Sequence, residues 1–559
     1  MGYTPEMKEL IKRVEATRAE RVEKTKRGEY FTPMTLDQRE DVLSKFHPDY
    51  MPEGRVAVRY GQNKGDVYPE EVVACLESYP RINPDSVDLK ALETKTTDVL
   101  VIGAGGAGTS AALIAAQKGL KVILATKLRH GDANTVMAEG GIQGADHEVD
   151  SPYYHYLDCI GGGHFTNKPE LVAALTHDAP IVLNWLEKLG MMFDKKPDGR
   201  MLVRHGGGTC RKRMHSAGDM TGSEIMRVLR DEARSRTDSI DIMEFTAAVE
   251  IFKDSKGRVS GALMYNLETE EYMVVKAKAV VVATGGNGRL HIQGFACTNH
   301  YGATADGLVL AYRAGAAFDF LHSTQYHPTG AAYPEQNVGL LITEKVRGLG
   351  ANLLNINGEQ FVFEREPRDV ESAAIIRECI ERGNGIRTPV GRLGVWLDSP
   401  MIEMLDGPGT VEKELPAKFM QFIRYGIDIR KEPMLIYPTL HYQNGGIRIN
   451  AHTETGVPGL FAAGEVTGGV HGENRLMGNS LLDVTVFGRR AGARAFDYIQ
   501  NFDGDIGELG LDHVREVMKE LDSLKDVPKE RIGPMLLPDY TTPEVRQHQL
   551  TAHYEGTMR

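Results

Sequence analysis

Residues 98–144 read DVLVIGAGGAGTSAALIAAQKGLKVILATKLRHGDANTVMAEGGIQG, and this stretch decides the fold. Residues 99–102 form a short apolar run of the kind buried in a parallel sheet. Gly103, Ala104, Gly105, Gly106, Ala107 and Gly108 then make a G-x-G-x-x-G turn, an Ala-rich helix follows to Gly119, and residues 121–125 read as a second strand. The glycines let the backbone turn tightly and approach a pyrophosphate, whose charge then sits at the helix N-terminus. Alone the turn is a weak signal, but in strand–turn–helix–strand order it predicts a dinucleotide site. The acidic residue that ordinarily grips a ribose after the second strand is absent. Thr126-Lys127 stand there instead, which argues against a generic nicotinamide site.

The 559 residues leave room for several domains and a large core. A formal charge of −12, with no long Lys/Arg run, argues against a nucleic-acid partner. No uninterrupted apolar segment approaches membrane-spanning length. The opening MGYTPEMKEL lacks a signal-peptide core, and Glu6 occupies the position where myristoylation needs Ser or Thr. Cys75, Cys159, Cys210, Cys297 and Cys379 are far apart, with no C-x-x-C, and read as reduced thiols rather than a disulfide frame or cluster site. The expectation is a cytoplasmic chain with no iron–sulfur cluster or metal site of its own.

Residues 1–95 form an N-terminal extension. Residues 6–27 are dense in Glu, Lys and Arg, with Met7, Leu10, Ile11, Val14 and Val22 as a thin apolar stripe, so a mostly solvated helix is expected. That arm could pack on its own chain or bind a partner. Helices are expected at 169–196 and 219–236, and strands at 240–252, 259–266 and 272–282. The last strand ends in a second glycine turn near 285, and GVPGLFAAGEVTGG (456–469) supplies a third. Three apolar strands ending in Gly suit one cofactor lying across one sheet. The predicted division is therefore a nucleotide-binding domain at 96–320 and 441–500, a capping domain inserted at 321–440, and a helical C-terminal tail at 501–559.

Five further clusters carry polar chemistry: QYHPTG (325–330), TEKVRG (343–348), PRD (367–369), PTLHYQNGGI (438–447) and HGENRLMGNSLLD (471–483). Singly, each has an ordinary structural explanation. Together, two histidines and several arginines beside a dinucleotide fold suggest a site for a small dianion, because Arg offers forked donors to carboxylates and His a donor without permanent charge.

In this order the motifs resemble the flavoprotein subunits of succinate dehydrogenase and fumarate reductase, a family that includes L-aspartate oxidase; the resemblance covers about residues 98–490. It implies an α/β fold, a Rossmann-like FAD-binding domain with an inserted α+β cap and a short helical tail. It implies that the 103–108 turn holds the FAD pyrophosphate, with Thr126 and Lys127 at the ribose and Asn134, Thr135, Glu139, Gly140, Gly141, Asp306, Glu465, Ser480 and Leu481 as further flavin contacts. It assigns His327, Thr343, His441 and Arg475 to the substrate carboxylates, Arg368 to the active-site acid, and Glu344 with Arg347 to its proton relay.

Two departures refine the expectation. L-aspartate oxidase carries an acidic residue where this chain has His205-Gly206-Gly207-Gly208-Thr209, and a neutral imidazole offers a substrate ammonium no counter-charge. Membrane-bound relatives attach FAD through a histidine where this chain has Asn134. The resemblance therefore implies non-covalent FAD and interconversion of fumarate and succinate, with reduction favoured. It also implies a separate iron–sulfur subunit as electron partner, with further electron-transfer or membrane-anchor subunits beyond it. L-aspartate oxidase remains an alternative, as does an electron-transfer subunit whose site is retuned to another enoate; Gln443-Asn444 beside His441 leave room for that.

Overall fold

The computed structural model describes residues 2–538. At its centre the opening stretch folds as strand Glu93–Ile102, helix Gly106–Gln117 and strand Val122–Ala125. The helix is made of small residues because it is covered on both sides. Long helix Asn479–Gln500 lies against it so closely that a Cβ at Gly488 would stand 2.4 Å from the Ala107 carbonyl oxygen, and one at Gly492 2.3 Å from that of Ala111. Small residues here permit backbone-to-backbone packing that leucines would prevent.

The main sheet runs Leu509–Gly510, Thr246–Asp254, Val259–Asn266, Tyr272–Val282, Glu93–Ile102, Val122–Ala125, Ile240–Met243. Its last four strands are parallel. Strand Tyr272–Val282 is shared: its first half pairs antiparallel with Val259–Asn266, and its last three residues pair parallel with Leu460–Ala462. The three glycine-terminated strands expected from sequence are thus neighbours in one sheet. The run 240–252 is two strands rather than one, because Phe245 takes the left-handed φ of 51° and the chain turns from the parallel to the antiparallel side. The helix expected to reach residue 196 stops at Lys188, and Gly190 (φ +94°) turns the chain away.

A second sheet orders Thr324–Ala331, Met434–Gln443, Leu393–Leu397 and Leu353–Leu354, all antiparallel, with helix Arg368–Ile380 packed across it. Ser372 Oγ on that helix donates to the Tyr326 carbonyl at 2.9 Å. The N-terminal stripe closes the other side of this core. Helix Pro5–Lys26 is capped by Thr4 Oγ1, which accepts from the Met7 amide at 3.3 Å, and Met7, Ile11 and Val14 join one apolar cluster with Val362, Ile375 and Trp396. Arg18 and Arg21 ion-pair with buried Asp398 at 2.9 and 2.7 Å. The first part of the extension is therefore packed on its own chain. All five cysteines are free, three of them buried. No described helix is long and apolar enough to cross a membrane. Helix Asp512–Leu524 lies in the expected tail, whose polar end at 539–559 falls outside the described residues.

Candidate active site

A cleft lies at the carboxyl ends of the parallel strands, where open α/β sheets bind ligands. Gly103, Ala104, Gly105, Gly106, Ala107, Thr126, Lys127, Asp306 and Glu465 line it. It meets a second space lined by Thr298, His441, Tyr442, Ser480 and Leu481; Asn134, Thr135, Glu465 and Val484 border both. Two of the turn glycines are dictated by sterics. Gly103 (φ +106°) would put a Cβ 2.2 Å from the Ala283 oxygen, and Gly108 one at 1.7 Å from the Gly103 oxygen. Gly108 lies outside the lining and serves to seat the helix on its strand. The fit is that of an elongated dinucleotide: a glycine cradle at one end and a smaller chamber with hydrogen-bonding groups at the other.

Most of the expected cofactor residues gather here, though several bond to one another. The Lys127 ammonium pairs with the Asp306 carboxylate and reaches Thr304 Oγ1 and the Leu536 carbonyl, while the Leu536 amide donates to Asp306 Oδ1 at 3.2 Å. Residues near 536 therefore fold back over this end of the cavity. Asn134 Nδ2 donates to Glu465 Oε2 at 2.9 Å, and its Oδ1 accepts from the His300 amide at 2.9 Å. Glu139 turns away, pairing with Lys418 of the cap, and burial pushes its carboxyl up to about 7. Gly140 and Gly141 lie with it outside both linings, Gly140 facing Met477 and Gly141 the His215 carbonyl. His130 is also away from the cavity, its Nε2 3.1 Å from Thr109 Oγ1.

Beyond His441 the side chains assigned to substrate and proton transfer form one buried cluster. Arg368 opens helix Arg368–Ile380, and its Nε donates to Glu344 Oε2 at 2.8 Å. Glu344 Oε1 accepts from the Gly207 amide at 2.8 Å, and Arg347 Nη2 lies 3.5 Å from Glu344 Oε2. On its far side Arg347 pairs with buried Glu371. Sequence reasoning passed over the residue that joins the cluster. Gln325 Oε1 accepts from both Arg368 Nη1 at 2.9 Å and Arg475 Nη2 at 2.8 Å, while its Nε2 donates to the Arg475 carbonyl at 2.6 Å. The two histidine rings stand 5.0 Å apart, edge to face. The Thr329 amide donates to His327 Nδ1 at 3.2 Å, so the neutral ring carries its proton on Nε2. His441 Nδ1 lies 2.8 Å from Thr298 Oγ1, and Thr343 is buried in the same region.

The electrostatics are those of a site short of negative charge. Burial, then the charges of Arg368, the other histidine and Arg475 among others, hold His327 well below its ordinary range; burial with Arg368 and Arg475 does the same for His441. Burial and Arg368 bring Arg475 down to about 9. Arg368 is also lowered by burial, and it stands at a helix N-terminus, whose positive dipole end disfavours a cation. Burial alone would raise the Glu344 carboxyl, but Arg368 and Arg347 outweigh it and leave the group below its usual range. Arg475 Nε and Arg347 Nε are buried donors with no hydrogen-bond partner among the described residues. An anionic ligand would satisfy what this cluster lacks.

A family profile described as FAD binding domain matches residues 98–481. One component of the fumarate reductase (CoM/CoB) of Methanothermobacter marburgensis is 39% identical, over 71% of this chain and 72% of its own. The L-aspartate oxidase of Streptomyces coelicolor is 35% identical, over 71% and 68%. Among solved structures, a variant of the quinol fumarate reductase of Escherichia coli superposes with a TM-score of 0.68 at 32% identity, covering 78% of this chain and 75% of that one. The chain belongs to the family of fumarate reductase and succinate dehydrogenase flavoprotein subunits. It is an FAD flavoprotein oxidoreductase, and the Rossmann-like α/β architecture read from the sequence is the family's.

Proposed function

We propose that this chain is a catalytic subunit interconverting fumarate and succinate, working in the reducing direction with non-covalently held FAD. The observation that carries the reading is the buried Arg368–Gln325–Arg475 bridge, with two neutral histidines beside the inner chamber. When bound, FAD supplies hydride to one alkene carbon. The residues do the rest. Arg475, His441, His327 and Thr343 bind the carboxylates, and the positive surplus stabilises the charge that spreads into one of them during transfer. Arg368 gives the second carbon its proton from a guanidinium nitrogen. Arg347, whose Nη2 lies 3.5 Å from Glu344, passes a proton to that carboxylate, which delivers it to Arg368 Nε at 2.8 Å. Arginine is a poor acid in water, but a carbanion-like carbon is basic enough to accept its proton, and burial already weakens its hold.

Two features support the finer parts of this reading. The carboxamide of Asn134 occupies the position assigned to covalent attachment and is engaged with Glu465 and His300, favouring FAD held by contacts alone. His205 is exposed, and desolvation with the nearby Lys212 charge lowers its imidazole, so the 205–209 loop gives a substrate ammonium no carboxylate, which favours fumarate over aspartate. Electrons would come through a separate iron–sulfur subunit, since all five cysteines are single free thiols. The test is anaerobic: protein reduced by viologen dye is mixed with fumarate, crotonate, acrylate or iminoaspartate, and reoxidation is followed. Fumarate should be consumed at least tenfold faster than the monocarboxylates. Equal rates, or preference for iminoaspartate, would overturn the reading.

A further inference from the structure

Away from this site, three ligating side chains converge that the proposed chemistry does not use. Asp146, His147 and His215 place a carboxylate oxygen, Nδ1 and Nε2 within 4.8 Å of one another. His215 lies on strand Met214–His215, which pairs with Ile142–Gln143, so strand pairing brings it to the start of the loop that carries Asp146 and His147. His215 is buried, His147 half-buried and Asp146 exposed, which leaves the centre of the trio open to solvent on one side.

The hydrogen bonding of His215 gives the arrangement its meaning. Its Nδ1 lies 3.0 Å from the Arg213 carbonyl, an oxygen that only accepts, so the proton sits on Nδ1. Its Nε2 faces the Asp146 carboxylate, 3.1 Å from Oδ1 and 3.2 Å from Oδ2. The carbonyl behind Nδ1 is also the partner that metal-binding histidines use to fix their tautomer. In a tetrahedral zinc site with legs of about 2.0–2.1 Å, neighbouring ligand atoms lie roughly 3.3 Å apart. Asp146 and His215 already have nearly that spacing. His147 Nδ1, at 2.5 Å from Asp146 Oδ1, needs only a small side-chain rotation outward. Arg213, two residues before His215, is held by Asp150 and Asp158.

We propose that Asp146, His147 and His215 bind one divalent transition cation, zinc by preference, with water completing the tetrahedron on the open side. Two nitrogens and one hard oxygen suit zinc better than calcium or magnesium. The ion would tie the 146–147 loop to strand Met214–His215, against whose carbonyl Gly141 packs. Its role is to hold the end of the 134–141 segment, not to touch substrate.

The FAD-loaded full-length protein, treated with chelator, desalted and offered Zn²⁺ alone, tests this. We expect one zinc per chain by elemental analysis. Co²⁺ in its place should give the intense visible bands of a tetrahedral site, and the thermal midpoint should rise on loading. His147→Ala and Asp146→Asn should each weaken Zn²⁺ binding by at least 100-fold and abolish the thermal shift, with flavin content unchanged. His177→Ala, at an exposed histidine elsewhere, should behave as wild type. Three results would overturn the proposal: substoichiometric zinc, weak octahedral cobalt bands from an adventitious ion only, or a His147→Ala protein that binds as tightly as wild type.

Discussion

Replacing Gln325 by Glu changes one atom type at the junction of the cluster. The amide nitrogen becomes an oxygen, and the group that accepts from Arg368 at 2.9 Å and from Arg475 at 2.8 Å becomes a carboxylate. Two buried guanidinium groups gain a formal counter-charge, but the donations from Gln325 Nε2 to the Arg475 carbonyl and Asn474 Oδ1 are lost and an oxygen faces those acceptors, so the two effects on the thermal midpoint oppose each other. The substrate's carboxylate meets arginines already neutralised. At an effective dielectric of about 20, one unit charge some 4 Å away is worth about 4 kcal/mol. If most of that is lost to an incoming carboxylate, the KM for fumarate rises roughly 10²- to 10³-fold, at about 1.4 kcal/mol per decade. The assay is anaerobic reoxidation of viologen-reduced protein over a fumarate range, with flavin content and thermal midpoint measured on the same samples. Gln325→Leu is the companion: it keeps the charge surplus but leaves two buried donors without their acceptor, so it should cost about 1–3 kcal/mol of stability. If Gln325→Glu binds fumarate within threefold of wild type, Arg368 and Arg475 do not receive the substrate, and the site has been misread.

Other outcomes follow from the same geometry. Arg368→Lys should abolish turnover while FAD, read from its visible absorbance per chain, stays bound. Acid precipitation should release the flavin into the supernatant, because Asn134 cannot form a covalent bond to it; yellow pellets would contradict this. Glu139→Gln should retain FAD, since Glu139 turns to Lys418. The folded-state pKa of Glu139, about 7, lies above the unfolded value near 4.5, so its proton stabilises the fold fully below about 4.5 and that contribution is lost as pH rises through 7. Glu139→Gln should therefore flatten the decline of the thermal midpoint between pH 5 and 8. Gly108→Ala, whose Cβ would sit 1.7 Å from the Gly103 oxygen, should yield insoluble or flavin-free protein, a loss above about 4 kcal/mol.

What the sequence made legible was local. The strand–turn–helix–strand unit is encoded by contiguous residues with fixed spacing, and the three glycine-ended strands could be matched because each repeats the same pattern. The charged site residues stood out because His and Arg recur beside Gly or Pro in short clusters, and the family resemblance supplied their individual roles. Gln325 did not, since a neutral amide in a strand gives no pattern; its role exists only once Arg368 and Arg475, from distant segments, arrive on either side. Glu139 was read only from its place beside the run expected to contact flavin, and its pairing with Lys418, far along the chain, could not be seen there. The stripe of Met7, Ile11 and Val14 announced a helix with one apolar edge, but not the surface that covers it, because that surface is assembled from the cap.

The divided pairing of strand Tyr272–Val282 also sets a schedule for biosynthesis. Its lower half finds its hairpin mate within a few residues, but its upper half waits for Leu460–Ala462, which leaves the ribosome only after the entire cap. Glu465, Ser480 and Val484, which complete the two chambers, come later still. At roughly 5–20 residues per second, the nucleotide cradle at Gly103 emerges many seconds before the walls that enclose it. Flavin capture is therefore a late event in the life of the nascent chain, and until then the apolar edge beside Val280–Val282 stands uncovered, a place for a chaperone to guard.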